Sequence, residues 1–155
     1  MLRRARPADA PALAEVQLRA WWHAYGEYVA HDALAAHTVA SRTQRWTEIL
    51  AAGETTTVVA EAAGRLAGFA SYGSGELLAI YVDPPAQGAG VGAALLAAAE
   101  DALRDEGHAT AFLWVLARNE LGRAFYASRG WASDDPPQLR EHAWGTTIRY
   151  ARRLR

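Results

Sequence analysis

The sequence has no cysteine and no lysine. Without cysteine there is no disulfide, no thiolate metal site and no cysteine nucleophile. Without lysine there is no P-loop, which needs that residue after its glycines, and no Schiff-base catalysis. Charge of a single sign is missing too. The 16 basic residues, all arginine, face 17 acidic ones for a net charge of -1, so no field draws the chain to nucleic acid or an anionic membrane. No apolar run approaches the roughly 20 residues of a membrane span, and Met1 to Arg6 leads into polar, helical sequence without an apolar signal core. The five histidines, at positions 23, 31, 37, 108 and 142, have no ligand-like spacing, so no metal is expected. These absences predict a cytoplasmic protein with a small diffusible partner.

What is present is a chain of 155 residues, 51% of them hydrophobic, enough to bury the core of one domain spanning 1–155. Leu2 to Arg6 reads as a first strand. Leu13, Val16, Ala20, Trp21 and Ala24 follow at helical spacing, and a second helix is expected over Val39 to Ala51. Thr55 to Glu61 and Leu66 to Tyr72, joined by Ala63-Gly64-Arg65, read as an antiparallel hairpin. Glu76 to Val82 is a further strand. A helix runs from the glycine-rich turn at Gln87 to Gly92 to about Arg104, with an apolar stripe of Val91, Leu95, Ala98, Ala99 and Ala102. Strand Ala111 to Leu116, helix Asn119 to Ser128, a strand starting at Gly130 and a last strand over Thr146 to Tyr150 complete a mixed α/β domain with a central β-sheet flanked by helices.

The glycine turn carries the chemistry. A strand followed by spaced glycines and a helix exposes unpaired N–H groups at the positive end of the helix dipole, which makes an anion site suited to phosphate. A plain strand-to-helix connection is the simpler alternative. Gly88-Ala89-Gly90-Val91-Gly92-Ala93 also fits the dinucleotide fingerprint. Against dinucleotide binding, Asp83 to Ala86 intervene between strand and motif, the motif lies past mid-chain, and the next strand ends in Ala117-Arg118-Asn119 without a ribose-binding acid.

Gln87-Gly88-Ala89-Gly90-Val91-Gly92 resembles the Q/R-x-x-G-x-G/A signature of the GNAT superfamily of acyl-CoA-dependent N-acyltransferases. Leu78 to Pro84 is similar to that family's preceding strand, and Asn119 to Trp131 to its second motif, with the alanine displaced to Ala124. The resemblance is strong from Leu77 to Trp131. It implies acetyl-CoA as co-substrate, its pyrophosphate on the amides of Gln87, Gly88, Ala89, Gly90, Val91 and Gly92 and its pantetheine arm along the backbone of Ile80, Tyr81 and Val82. It also implies cofactor contacts from Asn119 and Tyr126, with Tyr126 as general acid beside the sulfur.

Asn119 and Tyr126 stand seven residues apart and so share one helix face. A helix N-cap is the alternative role for Asn119, and core packing that for Tyr126. Transfer from thioester to amine also requires the ammonium to lose a proton. Glu76 is the candidate general base, since by alternation 76, 78, 80 and 82 share one sheet face and some family members hold a catalytic glutamate there. A solvated strand-start glutamate is its alternative. Glu61 and Glu141 are weaker candidates. His23, Tyr25 and Tyr28 are the expected acceptor-pocket residues, while Trp21 is assigned to helix packing. The expected activity is direct acetyl transfer to a primary amine of a small molecule or peptide. The alternatives are a protein N-terminal or lysine acetyltransferase and a non-catalytic acyl-CoA-binding module. A homodimer is in keeping with the family.

Overall fold

β-branched and aromatic runs such as Thr55 to Val59, Ile80 to Val82 and Phe112 to Val115 favour extended chain, and each lies in or enters a strand. The computed structural model describes residues 1–155. Its elements, in chain order, are β1 (Leu2–Arg4), α1 (Ala10–Tyr25), α2 (His31–Ala35), α3 (Val39–Ala52), β2 (Thr56–Ala62), β3 (Arg65–Gly73), β4 (Glu76–Val82), α4 (Val91–Asp105), β5 (Thr110–Leu116), α5 (Glu120–Ala127), β6 (Ala132–Ser133), β7 (Leu139–His142) and β8 (Gly145–Arg153). One sheet of eight strands runs β1-β2-β3-β4-β5-β8-β6, with β7 also paired to β8. The α/β class, the single domain and most elements match expectation. The short α2 and β7 were not anticipated.

Alternation along the strands sends side chains to two covered faces. On one, Leu96, Ala99 and Leu103 of α4 pack on Leu77, Leu113 and Val115. On the other, Leu13 and Val16 of α1 and Trp46 of α3 pack on Val59 and Phe69. The α4 stripe is rotated from the expected one: Leu95, Leu96, Ala99, Glu100 and Leu103 are its buried residues. Glu100 is tolerated there because it accepts from Trp131 Nε1 at 2.9 Å and pairs with Arg152. In α1, Ala24 is exposed and Tyr25 is buried in its place. The start of α3 is set by a reciprocal cap, Ser41 N–H to Thr38 Oγ1 at 3.0 Å and Thr38 N–H to Ser41 Oγ at 2.9 Å. Such a cap contributes about 1 kcal/mol.

Two irregularities of β4 shape everything downstream. Its register on β3 passes from Ser71↔Ala79 to Tyr72↔Leu77, leaving Leu78 as a β-bulge. The bulge breaks the expected alternation. Leu77 and Ile80 both pack on the α4 face, whereas Ala79 and Tyr81 pack against the α1–α3 core. Glu76, opposite in parity to Leu77 with no bulge between them, therefore shares the α1–α3 face with Ala79 and Tyr81 and not with Ile80 or Val82.

The second irregularity is on the other edge. β4 pairs with β5, in parallel, only at Glu76↔Phe112, while β5 pairs with β8 through Thr110↔Arg153 to Leu116↔Thr147. Beyond Glu76 the sheet therefore opens into two blocks with unpaired backbone facing the gap.

Candidate active site

The opening between β4 and β5 is the floor of a cleft of about 1100 Å³. At its mouth, Asp83 ends β4 and is held by Arg19 of α1, Nε to Oδ1 at 2.8 Å. Gln87 Nε2 donates back to the Val82 carbonyl at 3.2 Å, and the Gln87 N–H is used by Pro84 O. The expected amide run therefore starts one residue later. The N–H groups of Gly88 to Ala93 donate to no backbone carbonyl, and the first bond of the α4 ladder outside its own span is Ala94 N–H to Gly90 O at 3.0 Å. Gly88 and Gly90 both have φ of +84°, a conformation that L side chains resist. Gly90 is the N-cap of α4, so the helix dipole adds to the unpaired amides. A Cβ on Gly90 would meet nothing within 4 Å, so the space beside the loop is open.

Along the floor, Ile80, Tyr81 and Val82 line the cleft from one side and Leu113 to Leu116 from the other. Asn119 closes one end in two roles at once. Its Oδ1 caps α5 by accepting from Gly122 N–H at 3.0 Å, and its Nδ2 donates to the Tyr25 hydroxyl at 3.3 Å. Tyr126, on α5, packs on Phe125 and Trp131 with ring centroids at 5.3 and 6.2 Å and still lines the cleft. Burial, with Tyr81 nearby, pushes its pKa above the ordinary tyrosine range. Tyr25 is shifted the same way, by burial first and then by Tyr81, Tyr28 and Tyr126. These phenols keep their protons at neutral pH, which leaves each O–H available as a donor.

Glu76 lines the cleft where the strands part. Burial raises its pKa, and Arg140 on β7 opposes the rise. Arg140 itself lies over the Trp114 ring, 4.2 Å from the centroid. The weaker acidic candidates stand elsewhere: Glu61 pairs with Arg3, and Glu141 accepts from Thr146 Oγ1 at 3.0 Å.

The end of the cleft expected to take the acceptor differs in membership. Tyr25 lines the cleft; His23 is exposed on α1 and does not. Tyr28 packs beside Tyr25 and under Arg118, outside the cleft lining. Trp21, assigned to packing, is both buried and a cleft wall. The centre of this end is Trp144, from the turn between β7 and β8. Its ring lies 4.9 Å from Trp21, 5.7 Å from Tyr25, 5.8 Å from His37 and 5.7 Å from His142. Trp144, His37 and Arg42 had no sequence signal, because each reaches the cleft from a separate, short or irregular segment.

A parallel pair that opens over an unpaired glycine-loop helix start, with a tyrosine and a glutamate inside, defines an acyl-carrier-dependent acyltransferase. The Acetyltransferase (GNAT) domain matches residues 24–151, and the chain belongs to that family. It is 30% identical over 127 residues to the uncharacterized N-acetyltransferase YuaI of Bacillus subtilis, covering 76% of this chain and 72% of that protein. In structure it is similar to the PaiA N-acetyltransferase of Thermoplasma acidophilum solved with coenzyme A, with a TM-score of 0.81 at 19% identity over 99% of this chain and 98% of that one. It is also similar to YncA, an acetyltransferase from Salmonella typhimurium solved with acetyl-CoA, with a TM-score of 0.74 at 21% identity over 100% of this chain and 94% of that one.

Proposed function

We propose that this protein transfers the acetyl group of acetyl-CoA directly to a primary amine of a small molecule or peptide. The observation that carries the reading is the run of unpartnered amides from Gly88 to Ala93 at the mouth of the β4–β5 gap. Those amides suit a pyrophosphate, and the unpaired edge of β4 at Ile80, Tyr81 and Val82 suits an amide-bearing pantetheine arm lying as an added strand. The thioester then falls beside Asn119 and Tyr126.

Amine attack creates an oxyanion and then a leaving thiolate. Tyr126, protonated and dry, donates to the departing sulfur. Full proton transfer from a phenol near 10 to a thiolate near 8.5 is uphill by about 2 kcal/mol, and burial adds to this, so a hydrogen bond is the larger part of its role. Glu76 takes the ammonium proton directly or through water, its raised pKa bringing it closer to the amine's. The test is a screen of primary amines for acetyl-CoA-dependent CoA release. Release with some amines is expected. Tight acetyl-CoA binding with no release from any amine would establish a non-catalytic binding module instead.

A further inference from the structure

The acceptor end of the cleft holds a cation with no acid to answer it. Arg42, in the first turns of α3, has its Nε fixed by Gln17 Oε1 at 3.1 Å. Gln17 Oε1 is in turn held by Trp46 Nε1 at 2.9 Å, in the buried α1–α3 contact. The guanidinium lies over the Trp21 ring, 5.2 Å from its centroid. No carboxylate pairs with it. Its electrostatic neighbours are Tyr81 and another arginine, Arg45, and burial lowers its pKa. The terminal Nη1 and Nη2 groups, the fork that grips a carboxylate in two bonds, are unused.

One more donor stands at the same place. Trp21 Nε1 is buried with no hydrogen bond of good geometry, its one interaction being with the Tyr81 hydroxyl. A buried donor left unmet is costly. Gln17 Oε1 already takes two donors, Arg42 Nε and Trp46 Nε1, so the Nη groups of Arg42 face the cleft with no acceptor from the chain. Arg140, the other cleft arginine on this face, differs: it is exposed and faces Glu76. The bulge at Leu78 turns Glu76 to the face that carries Tyr81, and Glu76, Arg42, Trp21, Trp114 and Trp144 all line the one cleft.

We infer that the acceptor is an amino acid or a similar small amine with a free carboxylate and an apolar or aromatic body, and that Arg42 binds the carboxylate while the amine faces Glu76. The inference rests on the acetyl-transfer reading for the amine but on Arg42, Trp21 and Tyr81 for the acid.

The experiment compares amines that differ only in the carboxylate: L-phenylalanine with 2-phenylethylamine, L-tryptophan with tryptamine, and L-leucine with isopentylamine. Each is measured on the full chain and on Arg42→Gln. The acid should be preferred in kcat/KM by roughly 10²-fold in at least one pair, and Arg42→Gln should erase the preference while leaving the decarboxylated amine little changed. Loss of both members alike would mean that Arg42 only supports the fold. Equal use of both members by the unaltered protein, or a preference that survives the substitution, overturns the inference. Calorimetric binding of N-acetyl-L-phenylalanine against N-acetyl-2-phenylethylamine, without cofactor, asks the same question independently of turnover. No difference between them, or no binding of either, overturns the inference. Failure of acetyl-CoA to bind alongside a preserved acid preference would instead overturn only the transfer reading.

Discussion

In the proposed acetyl-transfer reading, the recognition surface on the donor side of the β4–β5 gap is backbone: unpaired amides of Gly88 to Ala93 and the free edge of β4, all within one strand–turn–helix segment. On the acceptor side it is side chains: Trp21 and Tyr25 from α1, Arg42 from α3, Glu76 from β4, Trp114 from β5, and Arg140 and Trp144 from β7 and the turn after it. A site made of backbone tolerates almost any side chain outside its glycines and keeps one ligand. A site made of side chains from six segments changes its ligand with each substitution. The division lets one fold keep a fixed donor and vary its acceptor.

The comparison breaks most sharply at Gly90. Gly90→Asp places a carboxylate where the pyrophosphate belongs, and like charges held together cost several kcal/mol. Acetyl-CoA affinity should fall by roughly 10³-fold, read by calorimetry, with the circular dichroism of the fold retained because the added Cβ meets open space and the strain of an L residue at this positive φ costs only about 1–2 kcal/mol. Retained affinity in a folded variant would move the phosphates elsewhere.

Tyr126→Phe should leave acetyl-CoA affinity intact and lower kcat toward the low end of the 10²- to 10⁴-fold range of general acid catalysis, since its raised pKa favours hydrogen bonding over full transfer. Donors with more acidic leaving thiols should shrink the loss. A loss that ignores the thiol would take Tyr126 away from the sulfur.

As the proposed base Glu76 would act only when ionised, and burial raises its pKa, so the acidic limb of kcat/KM should lie above the ordinary glutamate range. Arg140 lowers that pKa, so Arg140→Gln should move the limb to still higher pH. Glu76→Gln should abolish the limb and cost most, about 10²-fold, at pH values between the pKa of Glu76 and that of the amine, because below the first the carboxyl is already protonated and above the second the medium itself deprotonates the amine. A limb that stays in place in Arg140→Gln would mean that another group titrates.

These two kinds of site differ in the same way in how much of them the sequence announces. The glycine turn, the β4 span and the α5 motif were legible because each is local: φ of +84° demands glycine, and helical spacing relates Asn119 to Tyr126. The acceptor wall was not, because its members meet only in three dimensions. The bulge at Leu78 is a relation between β3 and β4 that no alternation within β4 reveals, and it moved Glu76 to the other face from Ile80. β7 is four exposed residues without a period, yet it supplies Arg140 and leads to Trp144. Glu100 sits in the α4 stripe, where a carboxylate reads as solvent-facing, because Trp131, just before β6, and Arg152 of β8 answer it from distant parts of the chain.

The smallest effect sharpens the boundary between the halves. Trp144→Ala removes the ring at the centre of the acceptor wall, and an aromatic contact of this kind contributes about 0.5–1.5 kcal/mol beyond burial. Acceptor KM should rise about tenfold, with acetyl-CoA affinity unchanged. A matching loss of acetyl-CoA affinity would mean that the halves are not separate.

The most direct measurement of the central claim is thermal unfolding of the unaltered protein with acetyl-CoA and, separately, with NAD. At 100 times its Kd a ligand specific to the folded state adds about 2.7 kcal/mol, which at 2–4 °C per kcal/mol for a chain of this size is a rise of roughly 5–10 °C. Acetyl-CoA should produce that rise and NAD none; a rise with NAD and none with acetyl-CoA would contradict the account.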